Sequence, residues 1–239
     1  YKCMEPKTNF RAAVRRCGAL ILSLMTTAVC LHAQPSGPRF GYDEIRRGVF
    51  APKSVSGVRS MRDGEHYTTL DEGRILKFSY RTGEQEAVVF DASAAEPSLR
   101  FTNYVFSSDE RRILLTTDVK PIYRHSFTAD YWLYDIPSGE LRRLSEGGPQ
   151  QEASFSPDGS RVAFVRDNDL FVADLDAGTE RRITSDGKFN SVINGIPDWV
   201  YEEEFSFSKA YEWSPDGTKI AYLRFDESRV REYDMNTFR

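Results

Sequence analysis

Ser156-Pro157-Asp158-Gly159, followed by Arg161-Val162-Ala163-Phe164-Val165, is the stretch from which the architecture can be read. Pro-Asp-Gly is turn chemistry: proline presets φ, aspartate bonds nearby backbone, and glycine takes the left-handed position. The run after it is β-branched and aromatic, with the length of one strand. The same signal recurs at Asp63-Gly64, Ser108-Asp109-Glu110 and Ser214-Pro215-Asp216-Gly217, ahead of β-rich runs at 66–70, 112–116 and 219–223. From aspartate to aspartate the spacings are 46, 49 and 58 residues. After each of the first three runs comes a second strand, a Gly turn and a third strand: ILKFSYRTGEQEAVVF (75–90), YWLYDIPSGELRRLS (131–145) and LFVADLDAGTERRIT (170–184). Even spacing, period-2 alternation and about four strands per repeat predict an all-β chain, an incomplete β-propeller of three blades and part of a fourth.

The last spacing exceeds the others by about ten residues, and residues 194–205 account for the excess. Insertions in repeat folds map to one face, often the binding face. This one contains Ile196-Pro197-Asp198-Trp199-Val200-Tyr201-Glu202-Glu203-Glu204-Phe205. Pro197 holds Ile196 extended, Asp198 is the natural N-cap, and the three glutamates then fall in the first turns of a short helix. Neighbouring helix positions lie about 100° apart, so Glu203 and Glu204 splay and can grip one compact, multi-donor cation from two sides. The aromatic flanks, with Phe205 and Phe207, predict a packed surface rather than a solvated acidic face. A second overfilled segment, residues 120–131, carries Arg124, whose planar fork can pair a carboxylate and still donate to a peptide oxygen. His125 beside it reads as structural.

The string from Asp198 to Glu204 resembles, without a break, the double-glutamate motif of the dipeptidyl peptidase IV family, within the prolyl oligopeptidase peptidases. The resemblance implies an eight-bladed propeller with the motif on a short inserted helix. It implies that Glu203 and Glu204 bind the free α-ammonium of a peptide, and residues 120–131 look like the family segment whose arginine, here Arg124, binds a substrate carbonyl. It also implies a serine nucleophile, aspartate and histidine on an α/β-hydrolase domain downstream of the propeller. No G-x-S-x-G elbow occurs in the 239 residues, so no catalytic residue is assigned here, and the chain reads as an N-terminal fragment, inactive alone. The implied activity is removal of Xaa-Pro or Xaa-Ala dipeptides from free N-termini. An ammonium fixed at the glutamates would make the site a ruler, since an extended chain advances about 3.3 Å per residue. A tripeptide-releasing relative and a non-catalytic peptide-binding propeller are the alternatives. Plain propeller modules lack the glutamate insertion.

The expected organisation is a signal peptide over 1–33, a preceding segment over 34–54 and the propeller over 55–239. Lys7, Arg11, Arg15 and Arg16 precede an apolar run over 18–31, and Leu31-His32-Ala33 offers a cleavage site before Gln34. A membrane anchor and a lipid on Cys30 are competing readings. Secretion across the inner membrane, to the periplasm or cell surface, is what the signal peptide predicts. Cys3, Cys17 and Cys30 all lie in this leader, so the mature part has no disulfide or thiolate metal site. With only His66 and His125 beyond the leader there is no histidine cluster either, and neither metal nor cofactor is expected. The leader holds five basic residues and one acid against a whole-chain charge of -4, leaving the remainder at -8. Such a surface gives no reason to expect nucleic acid. The expected partners are peptides with a free N-terminus and the chain's own hydrolase domain, with room for a homodimer. Tyr42-Asp43-Glu44-Ile45-Arg46-Arg47 predicts one short helix before Gly48, in a segment that the family packs on its hydrolase domain.

Overall fold

Helix α1 (Tyr42–Arg46) opens the part of the chain that the computed structural model describes, residues 40–52 and 57–233; the expected leader lies outside it. The chain divides into two units, Tyr1–Ser54 and Val55–Arg239. In the first unit, Glu44 Oε2 accepts from the Gly41 N–H at 3.0 Å and caps α1, and Gly48 at φ 67° follows its end.

The second unit is a series of antiparallel sheets, and in the three four-stranded ones the strands follow chain order. The first blade is β1 (Arg59–Ser60), β2 (His66–Asp71), β3 (Arg74–Ser79) and β4 (Gln85–Asp91). The second is β5 (Phe101–Phe106), β6 (Arg112–Pro121), β7 (Phe127–Asp135) and β8 (Glu140–Arg143). The third is β9 (Gln151–Phe155), β10 (Arg161–Arg166), β11 (Asp169–Asp174) and β12 (Thr179–Arg182). A fourth unit holds two strand pairs: β13 (Val192–Asn194) with β16 (Arg224–Asp226), and β14 (Tyr211–Trp213) with β15 (Ile220–Tyr222). This is a partial propeller of three full blades and part of another.

The repeated turn works as its chemistry predicts. In the third blade the Ser156 hydroxyl accepts from Arg161 N at 3.0 Å, Asp158 accepts from Ser160 N at 3.1 Å, and Gly159 sits at φ 70°. Ser214, Asp216 and Gly217 repeat this, with Lys219 N to the serine hydroxyl at 2.9 Å. In the second blade Ser107 and Asp109 do the same work, and Glu110 occupies the left-handed position at φ 55° that the others give to glycine. The turns also stitch blade to blade. Arg112 donates to the Gly159 carbonyl at 3.1 Å, and Arg161, its equivalent one blade on, donates to the Gly217 carbonyl at 2.8 Å.

The central strands differ from a half-solvated alternating pattern, because both of their faces are buried. In β10, Val162 and Phe164 join Leu114, Tyr131 and Leu133 of the second blade. Ala163 and Val165 point the other way, to a cluster with Leu170, Ile196 and Tyr211. β6 behaves alike, with Leu114 facing the third blade and Ile113 and Leu115 facing Ile75 and Phe90 of the first. Period 2 here selects which neighbouring blade a residue meets, not core against water. Each such side chain contributes about 1.5–3 kcal/mol of burial, so the blade stack itself is the core.

Candidate functional site

The crossover from the third blade to the fourth carries helix α2 (Trp199–Phe205), and both of its feet are fastened. At the entry, Asn194 N donates to the Asn168 carbonyl at 3.0 Å, and Gly195 N to the Leu223 carbonyl at 3.0 Å. Gly195 sits at φ 81°, a conformation that favours glycine, and a Cβ there would crowd Val165 Cγ2 at 3.0 Å. At the exit, Ala210 N returns to the Gly195 carbonyl at 2.9 Å. Beneath the entry lies Asp169, fully buried, whose carboxylate accepts from Thr184 Oγ1 at 2.5 Å, Gly187 N at 3.0 Å, Asn194 Nδ2 at 3.2 Å and Arg182 Nε at 3.1 Å. Burial would push the Asp169 carboxyl up, but the bonds from Thr184, Arg182 and Gly187 outweigh it and hold it below the usual range.

Asp198 caps α2 in extended conformation, accepting from Tyr201 N at 2.8 Å, and Ser206 at φ 57° ends it. Such a cap is worth about 1 kcal/mol. The aromatic flanks do less than the sequence suggests. Trp199, Val200 and Phe205 are each more than half exposed, and among the described residues only Tyr201 packs on further rings, those of Phe225 and Phe207. What the helix buries is a carboxylate. Glu202 is 2 % exposed, and its Oε1 accepts the backbone N–H groups of His125 and Ser126, each at 2.8 Å. Burial would raise its pKa, but the hydrogen bonds from Ser126 and His125 prevail and hold the carboxyl below the usual range. Charge-assisted bonds of this kind contribute about 1.5–3 kcal/mol each.

Two of the predicted site residues, Arg124 and Glu203, meet at this point. Arg124 lies at the tip of the β6–β7 hairpin, and its Nε stands 3.2 Å from Glu203 Oε2. The Glu203 side chain is 18 % exposed and that of Arg124 72 %, so the pair is half open to solvent and contributes at most about 1 kcal/mol. Glu204, one position on, is exposed. His125 enters through its backbone N–H, and its side chain is exposed. Three adjacent glutamates therefore occupy three environments: Glu202 sealed by backbone donors, Glu203 paired with Arg124, and Glu204 open. A cavity of about 580 Å³ adjoins the buried side, lined in part by Tyr123, Ser126, Gln151, Asp198 and Glu202. At the helix exit, a bulge in β9 places Glu152 at φ 54°; burial raises its carboxyl above the usual range, against Ser208 and Lys209, which lower it. Among the described residues no group of three His, Cys, Asp or Glu side chains is placed to hold a metal ion.

Sequence reasoning brings Arg124, Glu203 and Glu204 forward; it misses the Asp169–Asn194 junction. Neither residue stands in a motif. Only their equal burial and mutual hydrogen bond mark them.

Comparison with known proteins places the fold in a family. Residues 107–239 match the family model described as dipeptidyl peptidase IV (DPP IV) N-terminal region. The chain is 33 % identical over 228 residues to dipeptidyl peptidase 4 of Trichophyton tonsurans, covering 90 % of this chain and 29 % of that one. It is 34 % identical over 228 residues to dipeptidyl peptidase 4 of Arthroderma otae, covering 90 % and 29 %. The crystal structure of Porphyromonas gingivalis dipeptidyl peptidase 4 superposes with a TM-score of 0.75 at 41 % identity, over 84 % of this chain and 30 % of that one. The chain thus spans less than a third of the length of these relatives. Stacked four-stranded blades with a glutamate helix on a blade crossover define a propeller domain of the dipeptidyl peptidase type. This chain belongs to the dipeptidyl peptidase IV N-terminal region family.

Proposed function

We propose that this chain is the substrate-anchoring part of a secreted serine exopeptidase that removes Xaa-Pro or Xaa-Ala dipeptides from free peptide N-termini. The observation that carries the reading is the meeting of Arg124 and Glu203, from two elements distant in sequence, with Glu204 exposed at the next helix position. Arg124 takes up part of the Glu203 charge, and the open Glu204 leaves the site net negative, which suits an ammonium. An ammonium donates three hydrogen bonds and needs acceptors on more than one side, which adjacent helix positions provide. With the N-terminus held there, two extended residues bring the scissile carbonyl about 7 Å away. Arg124, tied to Glu203 through Nε, keeps its terminal nitrogens for the carbonyl between. None of these groups breaks a bond; they contribute positioning, while the serine, its base and the oxyanion donors belong to a hydrolase domain that works with the propeller. The leader over 1–33 would carry the protein across the inner membrane to the periplasm or cell surface.

The test is turnover by the full-length gene product of a Gly-Pro chromogenic substrate beside its N-acetylated form. Cleavage of the free substrate and loss of at least about a hundredfold on acetylation is the expected result, because the anchor loses its cation. Equal cleavage of both, or of neither, overturns the reading.

A further inference from the structure

We propose that Glu202 is a positioning residue for Arg124: its buried carboxylate sets where the arginine stands, so it acts on substrate without touching it. The inference rests on the function proposed above.

The hairpin that carries Arg124 has little of its own to hold its tip. β6 and β7 pair regularly up to Thr117↔Asp130, slip register, and resume only at Lys120↔Thr128 and Pro121↔Phe127. Beyond that, Ile122 N and Tyr123 N both turn to the Ser126 carbonyl, at 2.9 and 3.4 Å. Residues Pro121, Ile122, Tyr123, Arg124 and His125 are all exposed, Ile122 at 44 % and Tyr123 at 52 %, so the tip has no fully buried apolar anchor of its own. The Arg124–Glu203 ion pair cannot do it, being solvent-screened on the arginine side.

One contact remains that is both buried and directional. Glu202 Oε1 receives the N–H groups of the two residues directly after Arg124, His125 and Ser126, at 2.8 Å each. These bonds cross 77 and 76 positions of sequence and join the second blade to the crossover helix. Two backbone donors converging on one oxygen fix both the position and the direction of the chain at that point, which a single side-chain pair does not. The same bonds satisfy the Glu202 charge without a cation. Glu202 therefore does not compete for the ammonium or for Arg124, and the two outward glutamates keep those partners.

The experiment is a double-mutant cycle in the full-length enzyme, with kcat/KM on a free dipeptide substrate normalised to active sites titrated by a serine-directed phosphonate. Normalisation removes any loss of folded protein. Glu202→Ala is expected to lower kcat/KM by about ten- to a hundredfold, as a displaced positioning group does. Glu202→Gln, whose carbonyl oxygen can still accept both N–H groups, should recover most of that loss. The double variant Glu202→Ala/Arg124→Ala should be no worse than Arg124→Ala alone, within about twofold, since contacting residues that act through one another are not additive. Losses that multiply in the double variant, or a Glu202→Ala enzyme of normal kcat/KM per active site, overturn the proposal. Hydrogen exchange supplies a second reading that needs no activity. The His125 and Ser126 amides should lose protection in Glu202→Ala and keep it in Arg124→Ala and Glu202→Gln; unchanged protection in Glu202→Ala also overturns it. A Glu203→Ala control separates the two ideas: full activity there sinks the anchor reading, while amide protection still decides the clamp.

Discussion

The third blade, residues 151–182, and the crossover that follows it place opposite kinds of side chain inside. In β10 of the blade, Val162, Ala163, Phe164 and Val165 have no exposure, whereas α2 of the crossover leaves Trp199, Val200 and Phe205 mostly in water and buries Glu202. The blade is held by non-directional contact with neighbours on both faces, and many apolar residues of the right size would serve it. The crossover is held by a few directional bonds: Asp198 to Tyr201 N, Glu202 to two distant amides, and Asp169 under the entry. Such bonds hold a short helix at a defined place while its outer face stays free for other work. A packed surface would have fixed the helix equally well but covered that face.

Breaking the blade should give the largest effect on stability and none on recognition. Phe164→Ala is expected to lower the unfolding free energy by about 3–5 kcal/mol, read as a shift of the denaturant midpoint of the full-length protein, with KM of the folded enzyme unchanged. A raised KM would mean that blade packing and site geometry are coupled, and the contrast would dissolve. Asp169→Ala tests the junction between the two regions. It strips a buried carboxylate from Arg182, Thr184 and Asn194, and a loss of similar size, about 3–5 kcal/mol, should here come with a raised KM, because the entry of the crossover loosens.

On the crossover itself the balance reverses. Glu203→Ala or Glu204→Ala should cost about 2–5 kcal/mol in kcat/KM, because the ammonium loses a partner, with the unfolding midpoint little changed. Near-normal turnover of a free dipeptide substrate by both variants would falsify the ruler. Asp198→Ala removes only the cap, and about 1 kcal/mol of stability is expected, visible by calorimetry.

The smallest effect belongs to the turns. Asp158 and Asp216 are held down to about 2 by hydrogen bonds, chiefly from Ser156 and Ser214, against an ordinary value of 3.8. A carboxyl lowered in the folded state stabilises it above its unfolded value and ceases to do so as pH falls through the folded one. The turn contribution is therefore present above about pH 4 and fades towards pH 2. Ser156→Ala should flatten the slope of the urea midpoint over that window; an unchanged slope would show that the turn bonds are equally formed in the unfolded chain.

Local chemistry is legible in the sequence. Pro-Asp-Gly turns, runs of β-branched residues and an aspartate ahead of a glutamate run act over a few residues, so their reading follows from the sequence alone: the blade repeat, the N-cap at Asp198 and the helix behind it. The resemblance of residues 198–204 to a family motif singles out Glu203 and Glu204, that of residues 120–131 singles out Arg124, and the structure brings Arg124 and Glu203 to 3.2 Å. What the sequence could not decide was how three identical glutamates divide their work. That depends on which of them meets the hairpin tip 76 and 77 residues earlier, a matter of how two blades pack and how the crossover leaves the sheet. The same holds for β10, where alternation separates one blade interface from another, and for the exposed aromatics of α2, which in isolation read as a buried stripe. Asp169 and Asn194 carry no local signal; their pairing exists only because β11 and β13 lie side by side. Backbone propensity and turn chemistry are properties of a short segment, whereas burial and long-range hydrogen bonds are properties of its neighbours. Tertiary structure therefore decided the roles of Glu202, Asp169 and Asn194.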